Sequence, residues 1–431
     1  MGKTVAFHNL GCKVNSYETE KMMLSLKDRG YIIVPFDQRA DVYVINTCTV
    51  TNIADRKTRQ MIHRSKKQNP DAVIVAAGCY VNTHGEESVK TEGVDICLFN
   101  KDKELIGEKL DEFESGRAAK EPETAGGEDV FHTRCFMKVQ DGCDAFCSYC
   151  IIPYARGRIS SRPVSEVIRE VSEQTAAGYR EIVLTGIHVS SYGKDRPEDG
   201  ETLTDLIKGV AGVKGVERIR LSSLEPRVVT EEFARMLSQT EQVCPHFHLS
   251  LQSGSDPVLK RMNRHYTTAR YMEGVEMLRK YYDDPAITTD IITGFPGESE
   301  EEFEQTLSFV ERIGFYETHI FKYSRRAGTV ADGMAGQLDE KTKHERSERL
   351  AILNTRKKKE YEDRHIASGK PVEVLFEDIE EIKGKKMRTG YTGEYIKVYA
   401  VPDLAAEGQI LTGHIRRDKE GIIEFDHGML S

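Results

Sequence analysis

Cys143-Asp144-Ala145-Phe146-Cys147-Ser148-Tyr149-Cys150 offers three thiolates at C-x3-C-x2-C spacing, followed by Ile151-Ile152-Pro153-Tyr154-Ala155-Arg156-Gly157. Thiolates hold iron–sulfur clusters, ordinarily four to a cubane. This compact run supplies three and no fourth cysteine follows nearby, so one iron is left open to a small ligand. An open iron in a reduced cubane can hold the amino and carboxylate groups of S-adenosylmethionine (AdoMet) and pass an electron to its sulfonium. The C–S bond then breaks to give a 5′-deoxyadenosyl radical. A structural zinc knuckle is a competing use of clustered thiols, as is a chance group of buried cysteines. Zinc takes four protein ligands in two pairs, which is not this spacing. Radical chemistry is the stronger expectation for the loop.

Outward from that loop the chain reads as a series of βα units. Cys135–Gln140 is expected as the strand that leads into it, and Pro163–Gly178 as a helix beyond it. Glu181–Gly186, Arg218–Ser223, Phe247–Leu251, Ile287–Thr293 and Thr318–Tyr323 read as further strands with helices between. Six such strands suit an incomplete (β/α) barrel, whose active site lies at the C-terminal mouth. The residues suited to chemistry fall there. Gly186-Ile187-His188 follows the second strand, Ser222-Ser223-Leu224-Glu225 the third and Gln252-Ser253-Gly254 the fourth. Gly294-Phe295-Pro296-Gly297-Glu298 follows the fifth, and Tyr323-Ser324-Arg325-Arg326 the sixth. Glycine-rich ends let backbone amides approach a ligand; Glu225 suits a ribose hydroxyl and Phe295 stacking on adenine. Such residues are also ordinary turn formers, and it is their agreement along six strands that points to a site. His188 and His248 are either acid–base groups or satisfied strand-end histidines.

The first 115 residues alternate strand and helix as well. Thr4–Leu10, Ile32–Phe36, Asp41–Thr47, Ala72–Ala77 and Val94–Phe99 are expected strands; Ser16–Arg29, Asn52–Gln68 and a segment from Glu104 are expected helices. The alternation argues for an open parallel sheet covered by helices. Cys12, Cys48 and Cys79 each stand at the end of a strand, where open α/β sheets bind their ligands. Two readings stand: a second three-thiolate cluster, or ordinary small buried residues. The downstream loop favours the cluster. Cys97, Cys135 and Cys244 fall away from strand ends and are expected as non-ligands. The helix after Cys48 carries Arg56, Lys57 and Arg64 among its bases, a solvated face or a phosphate contact.

Residues 116–130 lack hydrophobic periodicity and are expected as a linker; 338–370 read as a polar helical connector. In 371–431 short strands at Pro371–Phe376, Met387–Thr392, Tyr395–Val401, Gln409–Arg416 and Ile422–His427 are split by glycines, the pattern of a small β-barrel. Lys386, Arg388 and Arg416 give it local positive charge, and Tyr391, Tyr395 and Tyr399 are expected as stacking surfaces. A lid or a dimerisation domain is the alternative use of such a barrel. The chain of 431 residues has a formal net charge of −9, which excludes a globally cationic nucleic-acid binder and confines RNA contact to local patches. With no signal-peptide pattern and no long apolar run, a cytoplasmic setting without a membrane is expected, where nine cysteines serve as ligands or buried thiols rather than disulfides.

The order of these parts resembles the methylthiotransferase family of the radical AdoMet enzymes. The marks are Leu10-Gly11-Cys12-Lys13-Val14-Asn15, Ile45-Asn46-Thr47-Cys48-Thr49-Val50, Ala77-Gly78-Cys79, Cys150 to Gly157, Leu251-Gln252-Ser253-Gly254-Ser255 and Gly294 to Glu298. Within the family, Lys13 with Glu18, and Thr49-Val50-Thr51 after Cys48, are similar to the MtaB branch, which acts on N6-threonylcarbamoyladenosine (t6A) at position 37 of tRNA. The MiaB branch, acting on isopentenyladenosine-37, and the RimO branch, acting on a ribosomal-protein aspartate, share the layout.

The resemblance implies an α/β fold: an N-terminal methylthiotransferase domain over 1–115, a linker over 116–130, a partial (β/α)6 radical AdoMet barrel over 131–337, a helical connector over 338–370 and a small antiparallel β-barrel, called TRAM, over 371–431. It implies two [4Fe-4S] clusters, on Cys12, Cys48 and Cys79 and on Cys143, Cys147 and Cys150, with all six cysteines catalytic through them. AdoMet is expected against Tyr149, Gly186, Ser223, Glu225, Gln252, Asp290 and Phe295, and RNA against Arg56, Lys57, Arg64, Lys386, Arg388 and Arg416. The implied partners are the tRNA anticodon stem-loop and a low-potential electron donor such as flavodoxin or ferredoxin, and the implied state is a monomer.

Overall fold

A computed structural model describes residues 2–115 and 133–427; the expected linker at 116–130 lies outside the described residues. The chain forms two compact units. One comprises the described residues up to 115 together with Asp141–Ser160 and Ser324–Gly333; the other comprises 133–140, Ser161–Tyr323 and the chain from Met334 onward.

The first unit is built on β1 (Thr4–Asn9), β2 (Ile32–Val34), β3 (Val42–Thr47), β4 (Val73–Gly78) and β5 (Ile96–Leu98). They form one parallel sheet in the order β2-β1-β3-β4-β5. Every residue of β3 and of β4 is buried. That is why these strands read as unbroken apolar runs and not as alternating ones: helices cover both faces of a parallel sheet. One face packs Val5, Val42, Val44 and Val75 against Met22, Leu26 and Ile106, and the other packs Tyr43, Ile45 and Ile74 against Ile62 and Val81.

In the second unit all six expected strands are present: β6 (Cys135–Lys138), β7 (Glu181–Thr185), β8 (Arg218–Leu221), β9 (His246–His248), β10 (Ala286–Thr293) and β11 (Glu317–Lys322). They pair in parallel as β6-β7-β8 and β9-β10-β11. Single bridges, Ile219 to Val243 and Leu224 to Leu249, join the two sheets into one incomplete barrel. The turn after β10 shows how a strand end is held. Gly294 donates its N–H to Glu298 Oε2 at 2.8 Å, and Arg346 of the long helix Glu340–Ser368 donates to the same oxygen at 2.6 Å. A side chain on Gly294 would drive its Cβ to 2.3 Å from Lys343, at a φ of +71°.

The terminal barrel is closed, in the order β12 (Val372–Ile382), β13 (Lys385–Thr392), β14 (Lys397–Ala400), β16 (Ile423–Asp426), β15 (Ile410–Arg417). Its first two strands are longer than the sequence suggests. Beyond a register shift between Phe376 and Ile379 they continue as a hairpin ribbon to Ile382 and Lys385, through the acidic run Glu377-Asp378-Ile379-Glu380-Glu381.

This barrel shares its core with the rest of the unit: Val374, Phe376, Val398 and Phe425 pack with Ala286, Tyr316 and Tyr361. Arg218 and Arg220 of β8, both almost wholly buried, reach its backbone. Arg218 donates to the carbonyls of Tyr391 and Glu373, and Arg220 to those of Thr392 and Gly393. Arg220 also forks onto Glu181. Two of the tyrosines expected to stack on a nucleic acid are used here instead. Tyr391 and Tyr395 stack on each other with ring centroids 4.7 Å apart, and the Arg134 guanidinium lies 4.9 Å from both rings. No helix among the described residues is long and apolar enough to cross a membrane.

Candidate active site

Cys12, Cys48 and Cys79 stand at the ends of β1, β3 and β4, three neighbours in the sheet. Cys12 is the N-cap of the helix Lys13–Asp28, and Cys79 opens the helix Cys79–His84. Gly11 permits the approach. At its φ of +118° a Cβ would lie 3.0 Å from Cys48 Cβ and 3.2 Å from Cys48 Sγ. The thiols are close enough to disfavour one another's ionisation: burial first, then the neighbouring Cys79 and Cys12, push Cys48 up to about 11. Such a thiol stays protonated until a metal displaces its proton. Asn100 donates to Cys79 Sγ at 3.6 Å. The nine cysteines form no disulfide.

A buried ionic network underlies these thiols. Arg156, in the helix that follows the three-cysteine loop, is 1 % exposed. It donates to Asn15 Oδ1 at 2.6 Å, to Glu18 at 3.0 and 3.1 Å and to Asp141 at 3.0 Å. Lys103 completes the set through a 2.5 Å ion pair with Glu18. Burial alone would lower the Arg156 pKa, but Cys79, Glu18 and Asp141 raise it well above the ordinary value. Lys103, wholly enclosed, is lowered by burial despite Glu18. Two cations beside Cys79 are what a site for several thiolates requires, since each bound thiolate adds negative charge in a poor dielectric. The donor set therefore fits an iron–sulfur cluster. Lys103 and Asp141 carry no signal in sequence, and Arg156 is marked only by its fixed place after Cys150.

The loop Cys143–Cys150 belongs to the same compact unit. Cys143 N–H donates to Gly157 O at 3.1 Å and Cys150 N–H to Cys147 O at 2.9 Å, so the run closes on itself. Ala145 N–H donates to Cys143 Sγ at 3.4 Å, the kind of amide contact that stabilises thiolate charge on a cluster. Phe146 takes a positive φ of 45° and lies under Arg158, 4.8 Å away. Ser148 O accepts from Ala331 N–H at 2.7 Å. Tyr149 is half-buried. The three thiols fit a cluster held by one loop. The segment Ser324–Gly333 is stitched to the strand-end thiols as well: Arg326 donates to Thr49 Oγ1 at 2.6 Å and pairs with Asp55 at 2.8 Å.

In the second unit the strand ends form a polar rim. Glu225, 6 % exposed, receives Arg227 at 2.9 and 3.0 Å and His188 at 3.5 Å, and its own N–H donates to Ser190. Burial opposes its charge, but His188, Arg227 and Arg264 hold its carboxyl down to about 2. The His188 ring is oriented by Ser191 Oγ at Nδ1, and its backbone N–H donates to the Gln140 side chain. A Cβ on Gly186 would meet Gln140 at 2.9 Å. Ser223 is half-buried at the rim. Gln252 sits at a φ of 74° between the Asp290 carbonyl and the Ile292 N–H. Phe295 differs from expectation: it has no exposed surface and packs edge-on to Tyr323, so its ring is not presented to an adenine.

The expected RNA contacts are dispersed. Arg56, Lys57 and Arg64 are exposed on the helix Asn52–Gln68, and Arg64 and Lys57 add to burial in lowering the pKa of His8, which marks a positive surface. Lys386 is exposed. Arg388 is half-buried and donates to Glu377 O at 2.8 Å, and Arg416 pairs with Glu424; both are engaged within the terminal barrel.

Comparison with known proteins accords with this geometry. The Radical SAM superfamily model matches residues 137–310, and a model described as uncharacterized protein family UPF0004 matches residues 4–99. The match to the former places AdoMet and an iron–sulfur cluster among the chain's cofactors. Among solved structures, the radical AdoMet methyltransferase TsrM of Kitasatospora setae is similar in fold, with a TM-score of 0.57 over 77 % of each chain at 15 % identity. A threonylcarbamoyladenosine tRNA methylthiotransferase MtaB of Bacillus subtilis is 42 % identical over 92 % of this chain and 90 % of its own length. The enzyme of the same name from Aquifex aeolicus is 39 % identical over 86 % and 92 %. A tRNA-2-methylthio-N(6)-dimethylallyladenosine synthase of Thermoanaerobacter is 36 % identical over 97 % and 92 %. With two cysteine trios in one compact unit, a six-stranded partial barrel and near-full-length identity of this order, the chain belongs to the MtaB family of radical AdoMet methylthiotransferases.

Proposed function

We propose that the protein inserts a methylthio group at C2 of t6A at position 37 of tRNA. The observation that carries this is the near-full-length identity to enzymes of that name, joined to the convergence of three strand-end thiols beside the buried Arg156. Two clusters and two AdoMet molecules would supply the chemistry, one cleaved to open an unactivated C–H bond and one furnishing the methyl group. The chain's own residues hold these groups. Cys143, Cys147 and Cys150 carry the first cluster, and Cys12, Cys48 and Cys79 the second, with Arg156 and Lys103 balancing its charge. Gly186, Ser223, Glu225 and Gln252 hold AdoMet, Glu225 as a fixed carboxylate for the ribose hydroxyls. Arg56, Lys57, Arg64 and Lys386 are the phosphate contacts for an anticodon stem-loop, and a flavodoxin- or ferredoxin-like protein delivers the electron.

Mass spectrometry of tRNA nucleosides from cells lacking the gene tests the reading. Loss of the 2-methylthio form of t6A alone is the expected result. Loss of the 2-methylthio form of isopentenyladenosine would move the chain to the dimethylallyladenosine branch. An unchanged profile would rule out a tRNA substrate.

A further inference from the structure

Four polar side chains of the barrel, among them Asp290 from the expected AdoMet set, are brought together by strand register. His248 on β9 pairs with Thr288 on β10, and Asp290 on β10 pairs with His319 on β11. Paired residues of parallel strands share a face, as do residues two apart on one strand, so His248, Thr288, Asp290 and His319 project together. The opposite face holds the buried Ile287, Thr289 and Ile291, with Tyr271 of the helix Thr268–Tyr281 bonded to Leu249 O beneath it. The polar set therefore faces the inside of the barrel.

One ligand atom from each of His248, Asp290 and His319 lies within 4.8 Å of the others. His248 is fixed at both nitrogens, Nδ1 by Thr288 Oγ1 at 3.0 Å and Nε2 by Asp290 Oδ2 at 3.3 Å. His319 stacks on it with centroids 5.7 Å apart and 25° between planes. The His319 ring is exposed, and its nitrogens make no hydrogen bond among the described residues. Two residues further along β11, on the same face, Phe321 is 46 % exposed. A large aromatic left open beside an aligned set of donors and acceptors is the composition of a base-binding platform.

We propose that this patch is the subsite for the modified adenine itself: Phe321 lies under the purine, His319 takes the carboxylate of the N6-threonylcarbamoyl group, and Asp290, positioned by His248, accepts from its hydroxyl and ureido N–H. The inference rests on the t6A reading and names the residues that select it. It takes Asp290 out of the AdoMet set. The step from Phe321 to His319, two residues or about 6.6 Å along a strand, is comparable to the distance from a purine across a ureido bridge. An isopentenyl group in the same place would leave the polar set unpaired, the situation in which a site rejects an analogue most strongly.

The test is fluorescence anisotropy with the full-length reconstituted protein and anticodon stem-loops carrying t6A, isopentenyladenosine or plain adenosine at position 37. Wild type should prefer the t6A stem-loop over plain adenosine by roughly tenfold to a hundredfold, the worth of one or two hydrogen bonds to a charged group. His319→Ala should bring that ratio close to one while leaving binding of the plain stem-loop unchanged, and Asp290→Asn should lower the ratio as well. Phe321→Ala should weaken all three alike by about tenfold, as loss of a base–aromatic stack does. A ratio that survives both His319→Ala and Asp290→Asn overturns the proposal. So does a wild-type ratio abolished by EDTA and restored by Mn2+, because two imidazoles and a carboxylate also suit a divalent cation. Turnover separates failure of this subsite from failure of the function. Methylthiolation of isopentenyladenosine RNA and not of t6A RNA would sink the function, whereas t6A turnover with an unmoved binding ratio in the variants would sink only the subsite.

Discussion

Arg156 shows what one side chain does for the first unit. Its guanidinium answers two carboxylates, the buried Glu18 and the partly buried Asp141. Arg156→Met should leave Asp141 without this partner and Glu18 with Lys103 alone, and cost about 3–5 kcal/mol of stability. Urea unfolding of wild type and variant would show this, with bound iron falling in parallel. Arg156→Lys restores charge without the planar fork and should recover only part of the loss. Glu225 gives a pH signature. Its carboxyl titrates at about 2 in the folded chain, below an unfolded value near 4.3. Its contribution is therefore complete above the unfolded value and lost as pH falls towards 2. Wild type should exceed Glu225→Gln in stability by at most about 3 kcal/mol at pH 7, and urea titrations should find the gap narrowing by pH 3. At this scale the placing of Cys12, Cys48 and Cys79 at three neighbouring strand ends was legible, because strand and turn signals around each thiol are local. Lys103 was not: it sits among Asp102 and Glu104 as a surface lysine would, and the carboxylate that holds it is 85 residues away.

Elements were legible wherever burial is two-sided. The runs at β3 and β4 are apolar throughout because helices cover both faces, so their limits in sequence and structure agree to within a residue or two. The hairpin ribbon from Glu377 to Arg388 obeys a different rule. Most of its residues are charged and exposed, and Glu380 pairs with Lys397 two strands away, so no hydrophobic alternation announces it. The strand-end thiols make an element-level prediction. Replacing Cys12, Cys48 and Cys79 by Ala should roughly halve bound iron and leave reductive cleavage of AdoMet intact, since the other trio has its own loop. Iron assay and 5′-deoxyadenosine release read the two quantities separately, and unchanged iron would show the three thiols to be structural. Gly11→Ala should approach the same loss, because its Cβ would press on Cys48 at a backbone angle that alanine resists.

For the molecule as a whole, the terminal barrel is part of the second unit's core. Arg220→Met should leave Glu181 buried with one cation fewer and remove two bonds to the 392–393 turn. We expect a loss of about 3–5 kcal/mol and earlier tryptic cleavage within 371–427, followed by limited proteolysis. Composition foretold a β-barrel here because glycine-split strands are local. It did not foretell the seat, since Arg218 and Arg220 look like the polar positions of an amphipathic strand until Glu181 and the carbonyls above them are in place. A last consequence concerns synthesis. The carboxylate of Glu18 waits 138 residues for Arg156, and Thr49 waits 277 for Arg326. A ribosome that has released only the first sheet has made three strand-end thiols with Lys103 beside them, while Arg156 is still untranslated. The ionic network under that edge is therefore complete only once the chain has been made through Arg156, and its link to Thr49 only once Arg326 has followed.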